Sequence, residues 1–254
     1  MTEGNDPGVG EGGPAAVPPP RGLVSVILAT YNERENIGEM LDRIFLHISA
    51  PVEVIVVDDD SPDGTWQVVA ERRDPRVHLV RRTRARGLAS AILRGIMESR
   101  GEILGWWDTD MLMAPERAPA MLAVLADSDI AVGSRYVEGG GDERHPVRVW
   151  TSRMLNRLAA LVLGQGVRDY DSGFILFHRS VLDTCVPVPT GFGEYFIEFI
   201  YSCRRRGLSV TEVPYHLTDR TGGISKCNPS VGGFLFTGMR YVFRIAVALV
   251  RGGP

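Results

Sequence analysis

Lysine is almost missing from this chain: of the 28 basic residues among 254, only Lys226 is a lysine. Cysteine is scarce as well. Cys185, Cys203 and Cys227 are odd in number and form no CxxC pair, which argues against a disulfide framework or a zinc site and suits a reducing cytosol. No run reaches the ~18 uninterrupted apolar residues of a membrane-spanning helix. Val231 to Val250 comes nearest, broken chiefly by Gly232, Gly233, Thr237, Gly238, Arg240 and Arg244, and reads as a segment that lies on a membrane rather than crossing it. The start lacks the basic and apolar stretches of a secretion signal. Residues 1–22 instead hold 11 Gly or Pro, the composition of a disordered tail. No GxGxxG follows the first apolar run, which argues against a dinucleotide oxidoreductase. His47, His78, His145, His178 and His216 are scattered without metal-ligand spacing and read as structural. A net charge of −3 gives no global attraction to nucleic acid, although residues 201–254 carry a local excess of eight basic over two acidic side chains.

What is present is a chain with 44% hydrophobic residues, enough for one substantial core. Leu23 to Ala29 is a short β-rich run, and polar residues 32–36 lead into a helical pattern through Ile37, Leu41, Ile44 and Phe45. Val52 to Val57 ends in three aspartates and the turn residues Ser61 to Gly64, ahead of a second helix reaching Ala70. The alternation continues with Val77 to Val80, a helix from Leu88 to Ser99, a strand from Glu102 to Trp107, a helix from Pro115, and Ile130 to Val132. Continuous apolar strands separated by helices predict an α/β fold, a doubly wound and mostly parallel sheet covered on both faces. Such sheets bind ligands beyond the carboxyl ends of their strands. The second half predicts a helix carrying Leu155, Leu158, Leu161 and Val162, a strand from Phe174 to Phe177, a helix near 194–206, and a strand from Leu208 to Val213. The glycines at 139–141 read as a hinge or flexible loop.

Polar clusters follow the strands where that rule places ligands: Tyr31 to Glu33, Asp58 to Ser61, Asp108 to Asp110, and Ser134 to Tyr136. Asp108, Thr109 and Asp110 form a DxD whose two carboxylates suit Mg2+ or Mn2+ bridging the phosphates of a nucleotide sugar. Acidic pairs at strand ends are also common surface features, so the DxD alone decides nothing. Asp59 can accept hydrogen bonds from ribose hydroxyls or a base edge. The neighbouring SPDGT equally makes a turn and helix cap, with Ser61 or Asp63 structural. Trp106 and Trp107, inside the strand before the DxD, read as core or pocket wall.

Taken together in order, TYNERENI (30–37), VVDDDSPDGT (56–65), RGLASA (86–91), WDTD (107–110), GSRY (133–136), SGF (172–174), EVP (212–214) and DRTGGISK (219–226) resemble the family 2 glycosyltransferases. Within that family they look like the dolichyl-phosphate mannose synthases and their bacterial polyprenyl-phosphate relatives. The resemblance runs over roughly residues 23–230 and implies a GT-A type, nucleotide-diphospho-sugar transferase fold. It divides the chain into a tail at 1–22, a catalytic domain at 23–228 and a C-terminal amphipathic helix at 229–254. It also implies roles, position by position. Ala29, Tyr31, Glu33, Val57 and Asp59 would line the nucleotide pocket; Asp108, Thr109 and Asp110 would meet diphosphate and metal; Arg135, Arg220 and Lys226 would bind phosphates. Arg148 and Ser152 occupy places similar to further acceptor-phosphate contacts. Asp110, Arg135 and Lys226 would be central to catalysis.

The implied reaction is transfer of a hexose, mannose from GDP-mannose first and glucose from UDP-glucose next, onto a polyprenyl phosphate with inversion. An acceptor phosphate has a second pKa of about 6, so it is mostly dianionic at pH 7 and attacks without a general base. A soluble acceptor, or a nucleotide-binding partner without turnover, remain as alternatives. The expected setting is the cytoplasmic face of a membrane, with Arg153 and Arg157 on one helix and Arg240 and Arg244 on another, unless the last helix packs on the domain or a second subunit. Nothing in the sequence fixes the oligomeric state. Three residues depart from the family pattern: Ala29 replaces proline, Asp60 replaces glycine or asparagine, and Leu112 replaces a glutamine that could coordinate the cation.

Overall fold

The protein is described by a computed structural model covering residues 22–109, 114–191, 195–217 and 241–250. Strand and helix alternate as the apolar runs predict: β1 (Val24–Thr30), α1 (Arg34–His47), β2 (Val52–Asp58), α2 (Thr65–Glu71), β3 (Val77–Arg81), α3 (Leu88–Glu98) and β4 (Ile103–Trp107). A 3-10 turn, Pro115–Arg117, leads into α4 (Ala118–Val124) and β5 (Ile130–Ser134). The second half supplies β6 (Gly141–Asp142), α5 (Pro146–Leu163), β7 (Ile175–His178), a 3-10 turn at Arg179–Asp183, α6 (Tyr195–Arg205), β8 (Val210–Pro214) and β9 (His216–Leu217). Residues 241–250 are helical. Seven strands form one sheet in the order β3, β2, β1, β4, β7, β5, β8. All its pairings are parallel except those of β7, which runs against both β4 and β5.

Alternate residues of each strand feed opposite cores, because successive side chains leave a strand on opposite faces. Val26, Leu28, Val54, Val56 and Trp107 pack beneath α1 with Ile37, Met40, Leu41 and Ile44. Ile27, Leu104 and Trp106 point the other way, onto Ile92 of α3, Ala159 and Leu163 of α5, and Phe196 and Phe199 of α6. Both tryptophans are therefore core. Trp106 makes an edge contact with Phe177 at 5.5 Å and Trp107 one with Phe174 at 5.3 Å between ring centroids. Ile245 and Ala248 of the last helix are buried in the second core, so this helix packs on the domain.

Two stretches differ from what their composition suggests. Gly140 and Gly141 belong to packed backbone: Gly140 N–H donates to Val137 O at 2.9 Å, Gly141 N–H to Tyr215 O at 3.1 Å, and β6 pairs with β9. A Cβ on Gly140 would press against the Ser134 and Arg135 main chain, so these glycines permit close approach rather than a hinge. In α5 the buried face is Asn156, Ala159 and Leu163, while Leu158, Leu161 and Val162 are exposed. Asn156 earns its buried place by accepting Tyr170 N–H at 2.7 Å and donating to Ser152 O at 2.9 Å.

Gly105 of β4 shows how tightly the antiparallel strand fits, since a Cβ there would lie on the main-chain oxygen of Ile175. Gly38, inside α1, has nothing within 4 Å of such a Cβ. Gly105→Ala should cost about 1–3 kcal/mol by overpacking, whereas Gly38→Ala should stabilise by about 0.5–1 kcal/mol through helix propensity. Urea titration of both variants checks this, and equal shifts of the same sign would contradict the packing described.

Candidate active site

The carboxyl ends of β1 and β2 lie level, with Thr30 opposite Asp58, and their loops are laced together by buried acceptors. Asp58 accepts Thr30 Oγ1 at 2.8 Å, Ser61 N–H at 2.8 Å and Ser61 Oγ at 2.6 Å. Ser61 Oγ in turn accepts Asn32 N–H at 3.0 Å, Thr65 Oγ1 accepts Glu33 N–H at 2.9 Å, and Asp63 accepts Arg34 N–H at 3.1 Å. The amides entering α1 are thus satisfied from the neighbouring loop, not by a residue of their own. Ser61, Asp63 and Thr65 are structural in this sense. Asp60 has φ +57°, the left-handed region that glycine and asparagine favour and aspartate tolerates, which accounts for the family's usual residues at this place.

Asp59 is buried and directs its carboxylate along the surface of the fold. One oxygen accepts Arg82 Nε at 2.6 Å and the other accepts Gly87 N–H at 2.8 Å, so Asp59 holds the 82–87 loop against the strand ends. Arg82 also donates to Ser90 Oγ at 3.0 Å, fastening that loop to α3. Arg86 sits 5.0 Å from the ring centroid of Tyr31, the one exposed aromatic of the nucleotide-side cluster. Glu33 accepts Asn36 Nδ2 at 2.8 Å, while Val57 is wholly buried with Ile55 and Ala91 against half-buried Ala29. Five of the expected nucleotide-side residues therefore converge. Arg82 was not singled out from sequence, and Arg86 entered only as the first residue of RGLASA; both belong to the basic run after β3.

Asp108 follows β4, half-exposed, with Thr109 buried behind it. Burial, then the charge of Asp108, pushes the hydroxyl of Tyr195 on α6 well above the ordinary tyrosine range. Asp110, Leu112, Arg220 and Lys226 lie outside the described residues. Among the described residues no three His, Cys, Asp or Glu side chains gather as a metal-holding group. Asp108 offers one hard carboxylate at an open strand end. Such a donor suits a Mg2+ or Mn2+ ion that keeps waters and takes further oxygens from phosphates.

Arg135, at the end of β5, is buried, and its guanidinium is already engaged. Nε and one Nη donate to Asp169 at 2.8 and 2.6 Å, the main-chain N–H donates to the same carboxylate at 3.0 Å, and an Nη reaches Asp171 O at 3.1 Å. Asp142 lies 3.9 Å away and is gripped by Arg144 at 2.7 Å. Burial would raise the Asp142 carboxyl, but Arg144 and Arg135 hold it below the usual range; burial wins at Asp171, whose carboxyl is raised. Arg148 and Ser152 are half-exposed on α5, where Ser152 Oγ accepts the Tyr136 hydroxyl at 2.8 Å. Asp142, Arg144, Asp169 and Asp171 were not singled out from sequence, although VRDYD directly precedes SGF. Gly173 there has φ +66°, and Ser172 Oγ bonds Gly133 O, which turns the chain into β7. Arg135→Met should lower stability by about 3–5 kcal/mol, because Asp169 would be left buried and uncompensated. Chemical unfolding measures this. Lost activity at unchanged stability would instead mark Arg135 as an open phosphate ligand.

Residues 25–186 match the family described as Glycosyl transferase family 2. A polyprenol monophosphomannose synthase from Mycolicibacterium smegmatis is 37% identical over 233 residues, covering 88% of this chain and 87% of that one. A dolichol-phosphate mannosyltransferase from Pyrococcus furiosus is 36% identical over 235 residues; the match covers 87% of this chain and 63% of that longer protein. A solved mannosyltransferase from Pyrobaculum calidifontis, in complex with GDP-Man and Mn2+, has the same fold with a TM-score of 0.65 at 22% identity, covering 95% of this chain and 69% of that one. The sheet order, the loops gathered at the carboxyl ends of β1, β2 and β4, and these likenesses give one answer: the chain belongs to the family 2 glycosyltransferases and has their GT-A architecture.

Proposed function

We propose that this protein transfers a mannosyl group from GDP-mannose to a polyprenyl phosphate of the dolichyl type, with inversion, using Mg2+ or Mn2+. The observation that carries this reading is the likeness, over nearly nine-tenths of both chains, to the mycobacterial polyprenol monophosphomannose synthase. Tyr31, Glu33 and the 82–87 loop held by Asp59 form the nucleotide side, with Ala29 and Val57 beneath. Asp108 and Asp110 are the residues that would hold the cation, with Thr109 between them in sequence. The cation, when bound, offsets charge on the leaving diphosphate.

On the other side the acceptor phosphate meets Arg148 and Ser152, half-exposed on α5, with Arg220 and Lys226 as further cations. Arg135 shapes this end from within, through Asp169 and the Asp171 carbonyl. A dianionic acceptor needs no proton removed, so the chain's residues act by holding two anions in line.

The acceptor's tail places the work at a membrane, on its cytoplasmic face. Val147, Trp150, Met154, Leu158 and Leu161 of α5 are exposed and recur at helical spacing, opposite the buried Asn156 and Ala159. Arg153 and Arg157 flank this stripe and are exposed. The last helix adds exposed Val242, Phe243, Leu249 and Val250, but Arg244 turns inward to Glu198 at 3.0 Å. Among the described residues no helix is long and apolar enough to cross a membrane, and lying along the surface fits the α5 stripe.

Purified protein given Mn2+, labelled GDP-mannose and a short polyprenyl phosphate should deliver label to the organic phase, and Asp108→Ala should reduce the rate roughly 100-fold or more. Label from UDP-glucose alone would change the donor, and only water-soluble product would discard the lipid acceptor. Trp150→Asp with Leu161→Asp should weaken binding to anionic-lipid vesicles at least about tenfold, given the apolar area each side chain buries. Sedimentation with vesicles reads this, and unchanged binding would remove α5 from the membrane contact.

A further inference from the structure

The last helix reaches the loop before β7 through Tyr241. Tyr241 Oη donates to Asp171 Oδ1 at 2.6 Å, across 70 residues of sequence. Asp171 lies beside Arg135 and within electrostatic reach of Arg144. Its second oxygen lies 3.9 Å from an Nη of Arg135, and its carbonyl accepts the same guanidinium at 3.1 Å. Arg144 acts on it electrostatically from the β6 side, as does Asp169 from the loop before β7. Tyr195, buried on α6, is acted on electrostatically by both Asp108 and Asp171.

Three features make the contact more than a surface tie. The helix is fixed within two turns beyond it, by Arg244 bonding Glu198 at 3.0 Å and Thr190 Oγ1 at 3.0 Å, and by Ile245 and Ala248 in the core. The hydroxyl therefore meets Asp171 from a firm support. Among the described residues the guanidinium nearest the Asp171 side chain is that of Arg135, at 3.9 Å. The short, charge-assisted bond from Tyr241 therefore orients this carboxylate.

We propose that Tyr241 is a positioning residue for the acceptor phosphate: its bond to Asp171 fixes the carboxylate that lies against Arg135, and so sets the cationic end of the site from the C-terminal helix. The proposal rests on the acceptor being a phosphate, as argued above. Loss of the hydroxyl frees Asp171 to rotate toward Arg135 and Arg144. Its altered pull on these two guanidiniums disturbs the end of the site that Arg135 shapes from within, while the nucleotide side, built from β1, β2 and the 82–87 loop, is untouched.

Tyr241→Phe, Asp171→Ala and the double variant test this, with KM measured separately for a short polyprenyl phosphate and for GDP-mannose. Tyr241→Phe should raise the acceptor KM roughly tenfold, the scale of a lost hydrogen bond to a charged group, and leave the donor KM within about twofold. In the double variant Tyr241→Phe should add nothing to Asp171→Ala, because either change removes the same bond. Mere loss of folded protein lowers the maximum rate and leaves KM where it was. An unchanged acceptor KM, equal changes for donor and acceptor, or additive effects would overturn the proposal while leaving the transferase reading intact. A wild-type protein that forms no lipid-linked product would overturn that reading first, and this inference with it.

Discussion

A carboxylate withdrawn from water has to be hydrogen-bonded or paired, and at the carboxyl edge of this sheet that requirement ties the loops into a site. Asp58, with no exposed surface, joins the ends of β1 and β2 through Thr30 and Ser61. Asp59 reaches past them to fix the 82–87 loop, and Asp169 binds the end of β5 to the turn before β7. Strand pairing alone would bring these loops near one another. The buried carboxylates fix their relative positions, because each takes a partner from a segment distant from its own. Under the proposed function, this cradle would align a nucleotide diphosphate with a second phosphate.

Most of the architecture was legible because parallel strands buried on both faces have nowhere to put a polar residue. Runs such as VEVIVV and the apolar stretch before WDTD could be read as interior strands, and the structure gives β2 and β4 at those places. The DDD run shows the limit of that reading. Sequence distinguished Asp59 as a ligand of the nucleotide, but three adjacent aspartates take three different tasks: Asp58 accepts inside the loop, Asp59 holds Arg82 and Gly87, and Asp60 turns out to Arg81 with φ +57°. Which carboxylate points where is decided by the pleat and the turn, and neither is written in the letters. The same holds for α5. Its Leu158, Leu161 and Val162 look like a core face, yet Asn156 and Ala159 take the inside, because a polar side chain is required there to cap the Tyr170 amide.

Arg135 illustrates a different illegibility. An arginine in GSRY is a natural phosphate ligand by charge alone, and the acidic residues that occupy it lie 34 and 36 positions later. Only the fold brings VRDYD back beside β5. Gly133 is part of that arrangement, since a Cβ there would press on Phe174 and keep the returning strand away.

The acceptor end thus holds two guanidiniums, Arg135 and Arg144, among three carboxylates, Asp142, Asp169 and Asp171. That balance looks wasteful for binding an anion until the cost of the alternative is considered. A bare guanidinium in a buried site is strongly unfavourable, and one left open to water would bind any phosphate that diffused by. Pairing each arginine with a carboxylate keeps the folded state affordable and lowers its affinity for free phosphate. Under the proposed function, the acceptor would bring further binding energy through its long apolar chain, by the area it removes from water. Selectivity for a lipid-borne phosphate would then come from weakened charge recognition, with the carboxylates as important to it as the arginines.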